Sequence, residues 1–408
     1  MLKNYFKIAI AVLKRRKFFT FISLFGISFT LTILMVLTAF IDKIINDNYP
    51  DKKRDRMLYI NRIAQVGDGT MQSGTVSYYF LSHYTGMMKT PVKVGISSMF
   101  SGTNTYVNNK KISVSYKYTN ADFWDVLDHD FTEGKPFNKQ QVSNADRVAV
   151  ISEDMKKQYF GDAPSVVGKY FEADNVNYRV IGVVKNVPIT NYMMYSDIYL
   201  PYTVSKADYK DKSYSGAYMA FLLAATPGDV PKMQAEYENL IKRVPVERKD
   251  FKHVYSHANT FFRSYVDTGN EKQSGVVIVV TAISIFVFIF TLLPTLNLVN
   301  INITRIMERS SEIGVRKAFG ASSKTLVYQF IVENLILTLL GGVIGVVLSV
   351  AALSVINNAD LISNLELRIN FSVLFIGMLV CLVFGFISGV YPAWRMSKLN
   401  VVTALKAQ

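Results

Sequence analysis

The chain has very few cysteine and histidine residues. Its 408 residues include one cysteine, Cys381, which lies inside an apolar run, and four histidines. A single cysteine excludes an internal disulfide framework. His253 and His257 have the i, i+4 spacing of a helical metal site, but no third ligand lies near them in the sequence, so we expect no metal site.

A phosphate-binding loop is also missing. The nearest segment to the pattern of glycine, four residues and Gly-Lys-Ser/Thr is Gly320 to Thr325, which has no glycine before Lys324. No nucleophile with an adjacent base stands out either. We therefore expect a non-catalytic chain that binds no cofactor itself.

The composition indicates a membrane protein with a large polar part. Half of the residues are hydrophobic, yet 19% are charged, and the formal net charge is +14. Nucleic-acid binding would require these cations on one face, whereas they are divided among the flanks of apolar segments. We therefore expect no nucleic-acid partner.

Four segments are apolar and long enough to cross a membrane, which takes roughly 20 helical residues for a core about 30 Å thick. The only charged residue within them is Glu333, in the third segment. Because the first apolar region is too long for a cleaved signal peptide, we expect it to be an anchor. The predicted spans are Phe18 to Ile41, Gly275 to Ile303, Leu326 to Ile356 and Ile369 to Trp394.

Basic residues predict the orientation of these spans. Lysine and arginine dominate the flank before the first span, the loop between the second and third, and the tail after the fourth. The loop between the third and fourth spans instead contains Asp360, Glu366 and Arg368. The positive-inside rule then predicts that both termini are cytoplasmic and that residues about 42–272 lie outside the cytoplasm.

The segment at 1–17 has apolar and basic residues on different helical faces, which predicts an amphipathic helix on the inner membrane surface, in contact with lipid. A second role, contact with a cytoplasmic partner, stays open for this helix.

The pattern of the extracytoplasmic segment predicts a mixed α+β domain of roughly 230 residues. We predict strands at Met57–Ala64, Val92–Met99, Val148–Ile151 and Tyr178–Val184, and helices at Tyr78–Met88 and at Glu153–Phe160, the latter ended by Gly161. Charged residues at both membrane junctions favour a helical stalk that continues the first two spans. The fold class is therefore an α-helical membrane region of four spans with a large α+β extracytoplasmic domain.

A charged helix is predicted between the second and third spans, at about 304–320. Arg309, Glu312 and Arg316 share one face, and Gly320 can adopt the left-handed conformation that ends a helix. From spacing alone, a solvated helix without a partner is as good an interpretation as a docking element.

The residue pattern of this segment resembles the cytoplasmic signature of the MacB/FtsX-like ABC transporter permeases. That signature is Glu-Arg, two residues, Glu-Ile-Gly, an apolar residue, Arg, and later Gly-Ala. The likeness continues with Gln329-Phe330, Glu333 and the glycines that follow, and with Gly389, Pro392-Ala393 and Ala404-Leu405. Phe123-Trp124, Gly134-Lys135-Pro136-Phe137 and Val180-Ile181-Gly182 are similar to the MacB-type periplasmic core.

The resemblance implies a permease subunit in a bacterial inner membrane, with residues about 42–272 in the periplasm. This subunit works with a separate cytoplasmic ATPase, which uses ATP and Mg. The resemblance further implies a second permease copy, as a homodimer or heterodimer, and in some members a periplasmic adaptor and an outer-membrane channel. The implied surface that couples to the ATPase consists of Glu308, Arg309, Glu312, Ile313, Gly314, Arg316 and Gly320.

The resemblance also divides the chain into a cytoplasmic helix at 1–17, a first span at 18–41, a MacB-type core with its stalk at 42–272, and an FtsX-like region at 273–408. The implied function is ATP-driven export of an antimicrobial compound, a peptide or a lipoprotein. Two alternatives stay open, an FtsX-like regulator of periplasmic cell-wall hydrolases and a membrane receptor with a periplasmic ligand-binding domain.

Several polar and small residues lie within the predicted spans. For Glu333 we favour a carboxylate that reaches the inner interface or bonds a neighbouring helix. Asn297 and Asn300 suggest interhelical hydrogen bonds, and Gly341, Gly342 and Gly345 would allow close helix packing.

Overall fold

The computed structural model describes most of the chain from residue 10 to residue 386. Within residues 291–308 and 323–330 it describes the backbone but few of the side chains. The residues outside the described part are 1–9, 12, 16, 47–48, 108–109, 207–208, 268–273, 309–314, 316–322, 360–363, 370, 372–373, 377–378, 380–381, 384–385 and 387–408.

The chain forms two compact units. The helical unit comprises Met1–Lys43, Thr281–Leu361 and Glu366–Gln408, and the outer unit comprises Ile44–Val280 and Ile362–Leu365. Each unit is described by itself below.

Long helices lie at the two ends of the described chain, and short helices alternate with strands between them. The helices are α1 Lys17–Asn46, α2 Tyr78–Thr85, α3 Phe123–Val126, α4 Lys139–Ser143, α5 Glu153–Phe160, α6 Val230–Ile241, α7 Phe261–Tyr265, α8 Gly275–Glu308 and α9 Ser323–Asn358. The strands are β1 Met57–Ile60, β2 Ile63–Val66, β3 Met71–Gly74, β4 Lys93–Ser98, β5 Ser101–Val107, β6 Lys110–Thr119, β7 Phe131–Gly134, β8 Val148–Ser152, β9 Tyr170–Ala173, β10 Val176–Val184, β11 Ile198–Pro201, β12 Tyr218–Leu223 and β13 His253–Tyr255.

Two of the four predicted spans coincide with helices long and apolar enough to cross a membrane: α1, and Ile331–Asn358 of α9. The second predicted span falls within α8, and the part of α8 whose side chains are described, Gly275–Phe290, is apolar. The fourth lies largely outside the described residues, so the count of four spans remains a prediction.

Two sheets form the frame of the outer unit. The larger, ten-stranded sheet has the order β1-β12-β4-β6-β11-β8-β10-β7, with β5 paired to β6 and β9 paired to β10. Within it, β8 and β10 run parallel, as do β6 and β11. The smaller sheet, β13-β2-β3, is antiparallel. This mixture of strands and helices confirms the predicted α+β class of the outer domain.

Strand β8 shows why the large sheet is buried on both faces. Val148 and Val150 enter one hydrophobic cluster, while Ala149 and Ile151 enter another. A continuous apolar run is what a strand covered on both sides requires. Helix α5 follows directly, with the Ser152 hydroxyl accepting the Met155 N–H, and it ends at Gly161, whose φ is +63°.

The structure corrects two sequence interpretations. The strand predicted at Met57–Ala64 is two strands in different sheets, because β1 pairs with β12 whereas β2 pairs with β13 and β3. The interpretation of His253 and His257 as an i, i+4 pair on a helix is also wrong, because His253 lies in strand β13. The other predicted strands and helices of the outer domain correspond to β4, β8, β10, α2 and α5, although α2 ends earlier than predicted, at Thr85.

Candidate functional site

The predicted coupling surface lies mostly outside the described residues. Glu308 is the last residue of α8, and its side chain is not described. Arg309, Glu312, Ile313, Gly314, Arg316 and Gly320 all fall outside. Their role as a docking surface therefore remains a prediction from the sequence.

Within the helical unit, two glycines of α9 lie against α1. A Cβ atom added to Gly341 would lie 2.8 Å from Cγ2 of Ile27, and one added to Gly345 would lie 2.9 Å from Cδ2 of Leu31. The Thr32 hydroxyl also donates a hydrogen bond to the Gly345 carbonyl, at 3.2 Å. Neither position has room for a side chain without movement of α1, a geometry typical of close helix packing in membranes.

Polar residues of α9 are also buried in the helical unit. Glu333 is 1% exposed, and Asn334 and Thr338 on the same helix are buried as well. The two roles predicted for Glu333, reach to the inner interface and a bond to a neighbouring helix, both remain predictions from the sequence. Gly342 is buried too, whereas the side chains of Asn297 and Asn300 lie outside the described part.

The outer unit begins with a buried ion pair where α1 leads into it. The Asp51 carboxylate accepts two hydrogen bonds from Arg54, from Nε at 2.7 Å and from Nη2 at 2.9 Å, and a third from the Tyr59 hydroxyl at 2.8 Å. The Asp51 side chain is fully buried. Burial raises the pKa of Asp51, and the bonds from Arg54 and Tyr59 oppose that rise.

Arg54 connects three segments of the outer unit. Its Nη1 donates to the carbonyl of Ile45 in the last turn of α1, and its guanidinium lies 3.6 Å from the ring centroid of Phe261 in α7. The ring of Tyr59 packs edge-on against Phe261, at 5.6 Å between centroids. Arg54 thus contacts the end of α1, Asp51 and α7, and we call this set of contacts the Arg54 junction.

A second group of contacts fixes the same entry segment. Asp130 pairs with Lys52 at 2.7 Å and with Lys185 at 3.5 Å. The hydroxyl of Tyr49 donates to the Lys185 carbonyl and accepts the Asp130 N–H. The pair with Lys52 lowers the pKa of Asp130. Because these groups are partly exposed, we expect them to orient the segment and to contribute little to the free energy of unfolding.

Sequence reasoning missed a buried lysine in the outer unit. The side chain of Lys117, in β6, is fully buried, and its Nζ donates to the carbonyl of Met193. Burial lowers its pKa to about 7. Lys117 lies on the same strand face as Ser113 and Ser115. Because such a polar face predicts exposure to solvent, the sequence pattern gives no indication that Lys117 is buried.

His129 lies among aromatic rings in the same unit. The rings of Phe123, Trp124 and Tyr199 surround it, with centroids 5.2 to 5.5 Å away. Burial lowers its pKa to about 3, so the imidazole is neutral at physiological pH. In the described part of the chain, no group of three or more potential metal ligands comes together.

A large α+β unit attached to long apolar helices defines a membrane protein with an extended extramembrane domain. Residues 20–240 match the family model of the MacB-like periplasmic core domain, and residues 284–401 match that of the FtsX-like permease C-terminal region. The chain belongs to the MacB/FtsX-like family of ABC transporter permeases, whose members are inner-membrane proteins with a periplasmic domain.

Individual relatives are distant. The macrolide export ATP-binding/permease protein MacB of Acinetobacter baylyi is 25% identical over 78% of this chain and 46% of its own length. The ABC transporter permease YknZ of Bacillus subtilis is 24% identical over 77% of this chain and 75% of its own length. The chain thus spans less than half the length of the MacB relatives that it matches.

Among solved structures, the periplasmic region of MacB from Actinobacillus actinomycetemcomitans aligns with 56% of this chain and 99% of that chain. The sequence identity is 16% and the TM-score is 0.38.

Proposed function

We propose that this chain transmits ATP-driven conformational change from a separate cytoplasmic ATPase to its periplasmic unit. The Arg54 junction carries the proposal. Because Arg54 binds the last turn of α1, Asp51 and Phe261 together, a displacement of α1 would be passed to the outer unit as a rigid movement. A flexible linker would absorb the same displacement.

The ATPase would bind ATP and Mg, and this chain would bind neither. Glu308, Arg309, Glu312, Ile313, Gly314, Arg316 and Gly320 would form the docking surface. A second permease copy would complete the transporter, with both termini in the cytoplasm. We favour export of an antimicrobial compound, a peptide or a lipoprotein as the process that this conformational change drives. A periplasmic adaptor and an outer-membrane channel would be further partners.

The test uses the complex purified from native membranes with its ATPase and reconstituted in lipid. Replacement of Arg54 alone would leave Asp51 as an unpaired buried charge, which typically costs about 3–5 kcal/mol. The informative variant is therefore the double change Asp51→Asn with Arg54→Met. We expect it to retain ATP hydrolysis and to lose the ATP-dependent change in hydrogen exchange of the outer unit.

Arg56→Ala is the matched control, because Arg56 lies two residues further on and its Nη1 donates to the Ala225 carbonyl. It should keep both hydrolysis and the exchange response. A double variant that responds to ATP like the wild type would rule out transmission through the junction. Copurification with a cell-wall hydrolase and no export partner would instead favour the regulator.

A further inference from the structure

Asn364 belongs to the outer unit although the sequence places it in the short loop between the third and fourth predicted spans. Its amide Nδ2 donates to Oδ2 of Asp154 at 2.7 Å, and its Oδ1 accepts from Nδ2 of Asn186 at 3.0 Å. The same Nδ2 of Asn186 donates to Oδ1 of Asp154 at 2.9 Å. The three side chains thus form a closed ring of hydrogen bonds, which we call the Asn364 ring.

The two partners of Asn364 lie at one edge of the sheet. Asp154 is in the first turn of α5, which follows β8, and Asn186 follows the end of β10. Because β8 and β10 are parallel neighbours, both segments leave the sheet at its carboxyl edge. Asn186 also accepts the backbone N–H of Asp154 through its Oδ1, at 2.9 Å. The parallel pairing of β8 and β10 therefore sets the positions of Asp154 and Asn186, the two side chains that bind Asn364.

The backbone of Asn364 suits this contact. Its φ is +63°, in the left-handed region that asparagine tolerates better than most residues. The next residue, Leu365, is 7% exposed. At the base of the loop, the Asn357 side chain donates to the Leu367 carbonyl and accepts its N–H, at 2.9 and 3.0 Å. The loop is thus held at its base as well as at Asn364.

We propose that Asn364 is a positioning residue that docks the loop between the third and fourth predicted spans onto the β8–β10 edge. A movement of this loop at Asn364 would then be passed to the β8–β10 edge. This inference rests on the function proposed above.

A charge exchange tests the ring. Asn364→Asp places a second carboxylate beside Asp154, and like charges in contact repel. The double variant Asp154→Asn with Asn364→Asp restores one donor and one acceptor with their positions exchanged, so that the amide at 154 donates to the carboxylate at 364. Asn364→Gly keeps the left-handed backbone and removes the amide. Glu366→Gln is the control, because Glu366 is an exposed residue of the same loop that pairs with Arg368.

The first measurement is hydrogen exchange of residues 152–160 in the purified full chain without nucleotide. Loss of a hydrogen bond to a charged group corresponds to about 1.4 kcal/mol or more, or about tenfold faster local opening. We expect that acceleration in Asn364→Asp and Asn364→Gly, and wild-type exchange in the charge-exchanged double variant and in Glu366→Gln. Unchanged exchange in both single variants would show that Asn364 does not dock, and failure of the double variant to recover would contradict the ring.

The second measurement is the ATP-dependent exchange response of the outer unit in the complex with its ATPase. We expect Asn364→Asp to hydrolyse ATP normally and to lose the response at the β8–β10 edge, and the double variant to regain it. A normal response in Asn364→Asp would refute the positioning role. If the wild-type complex shows no response anywhere, the proposed function is wrong, while the nucleotide-free data still decide whether Asn364 docks.

Discussion

Lys117 is a buried cation that no carboxylate neutralises among its described hydrogen bonds. Its acceptors are the main-chain carbonyls of Met193 and, more distantly, Tyr192. A charge in such a place costs folding free energy, and the lowered pKa of about 7 expresses that cost. The outer unit is therefore less stable than its hydrophobic clusters alone would make it.

The pH dependence follows from the direction of this shift. Between about pH 7 and the ordinary lysine pKa of 10.5, the unfolded chain binds a proton that the folded chain has lost, so stability rises with pH. The contribution is about 1.4 kcal/mol per pH unit in that window, and below pH 7 both states are protonated and the full cost of burial remains.

Lys117→Met should remove this contribution. We expect the variant to be more stable than the wild type at pH 6 and the difference to shrink as the pH rises from 7 to 9. Unfolding can be followed by the fluorescence of Trp124 in a Trp394→Phe background. Lys111→Met, at an exposed position of the same strand, serves as the control, and parallel pH profiles for wild type and Lys117→Met would contradict the assignment.

At the scale of elements, long apolar runs and short capped helices were predictable from the sequence. The runs that form α1 and α9, and the Ser152 to Gly161 signals around α5, are local features. The packing of Arg54 on Phe261 and the Asn364 ring were not predictable, because they join residues far apart in the chain. Asn364 is an ordinary loop residue by composition, and only the tertiary structure brings it to Asp154 and Asn186.

The predicted coupling helix is tested by charge reversal. Glu312→Lys and Arg316→Glu should each weaken ATPase binding, because each removes a charge from the docking face and introduces the opposite one. We expect the two changes together to recover part of the binding if the residues pair with each other. The measurement is the amount of ATPase that copurifies with each variant, and unchanged binding in all three would eliminate the docking role.

For the whole molecule, the strongest constraint is the distribution of positive charge. The net charge of +14 is concentrated in short flanks, which the positive-inside rule assigns to the cytoplasm. The two units and the family agree with one large domain outside the membrane, and the orientation of the chain remains to be measured.

Cysteine labelling measures that orientation directly, because Cys381→Ser leaves a background without cysteine. In this background Lys317→Cys should react with a membrane-impermeant maleimide only after the inner membrane is opened. Lys111→Cys, in the outer unit, should react in spheroplasts with intact membranes. Reaction of Lys317→Cys from outside would place the predicted coupling helix away from ATP and would exclude its contact with a cytoplasmic ATPase.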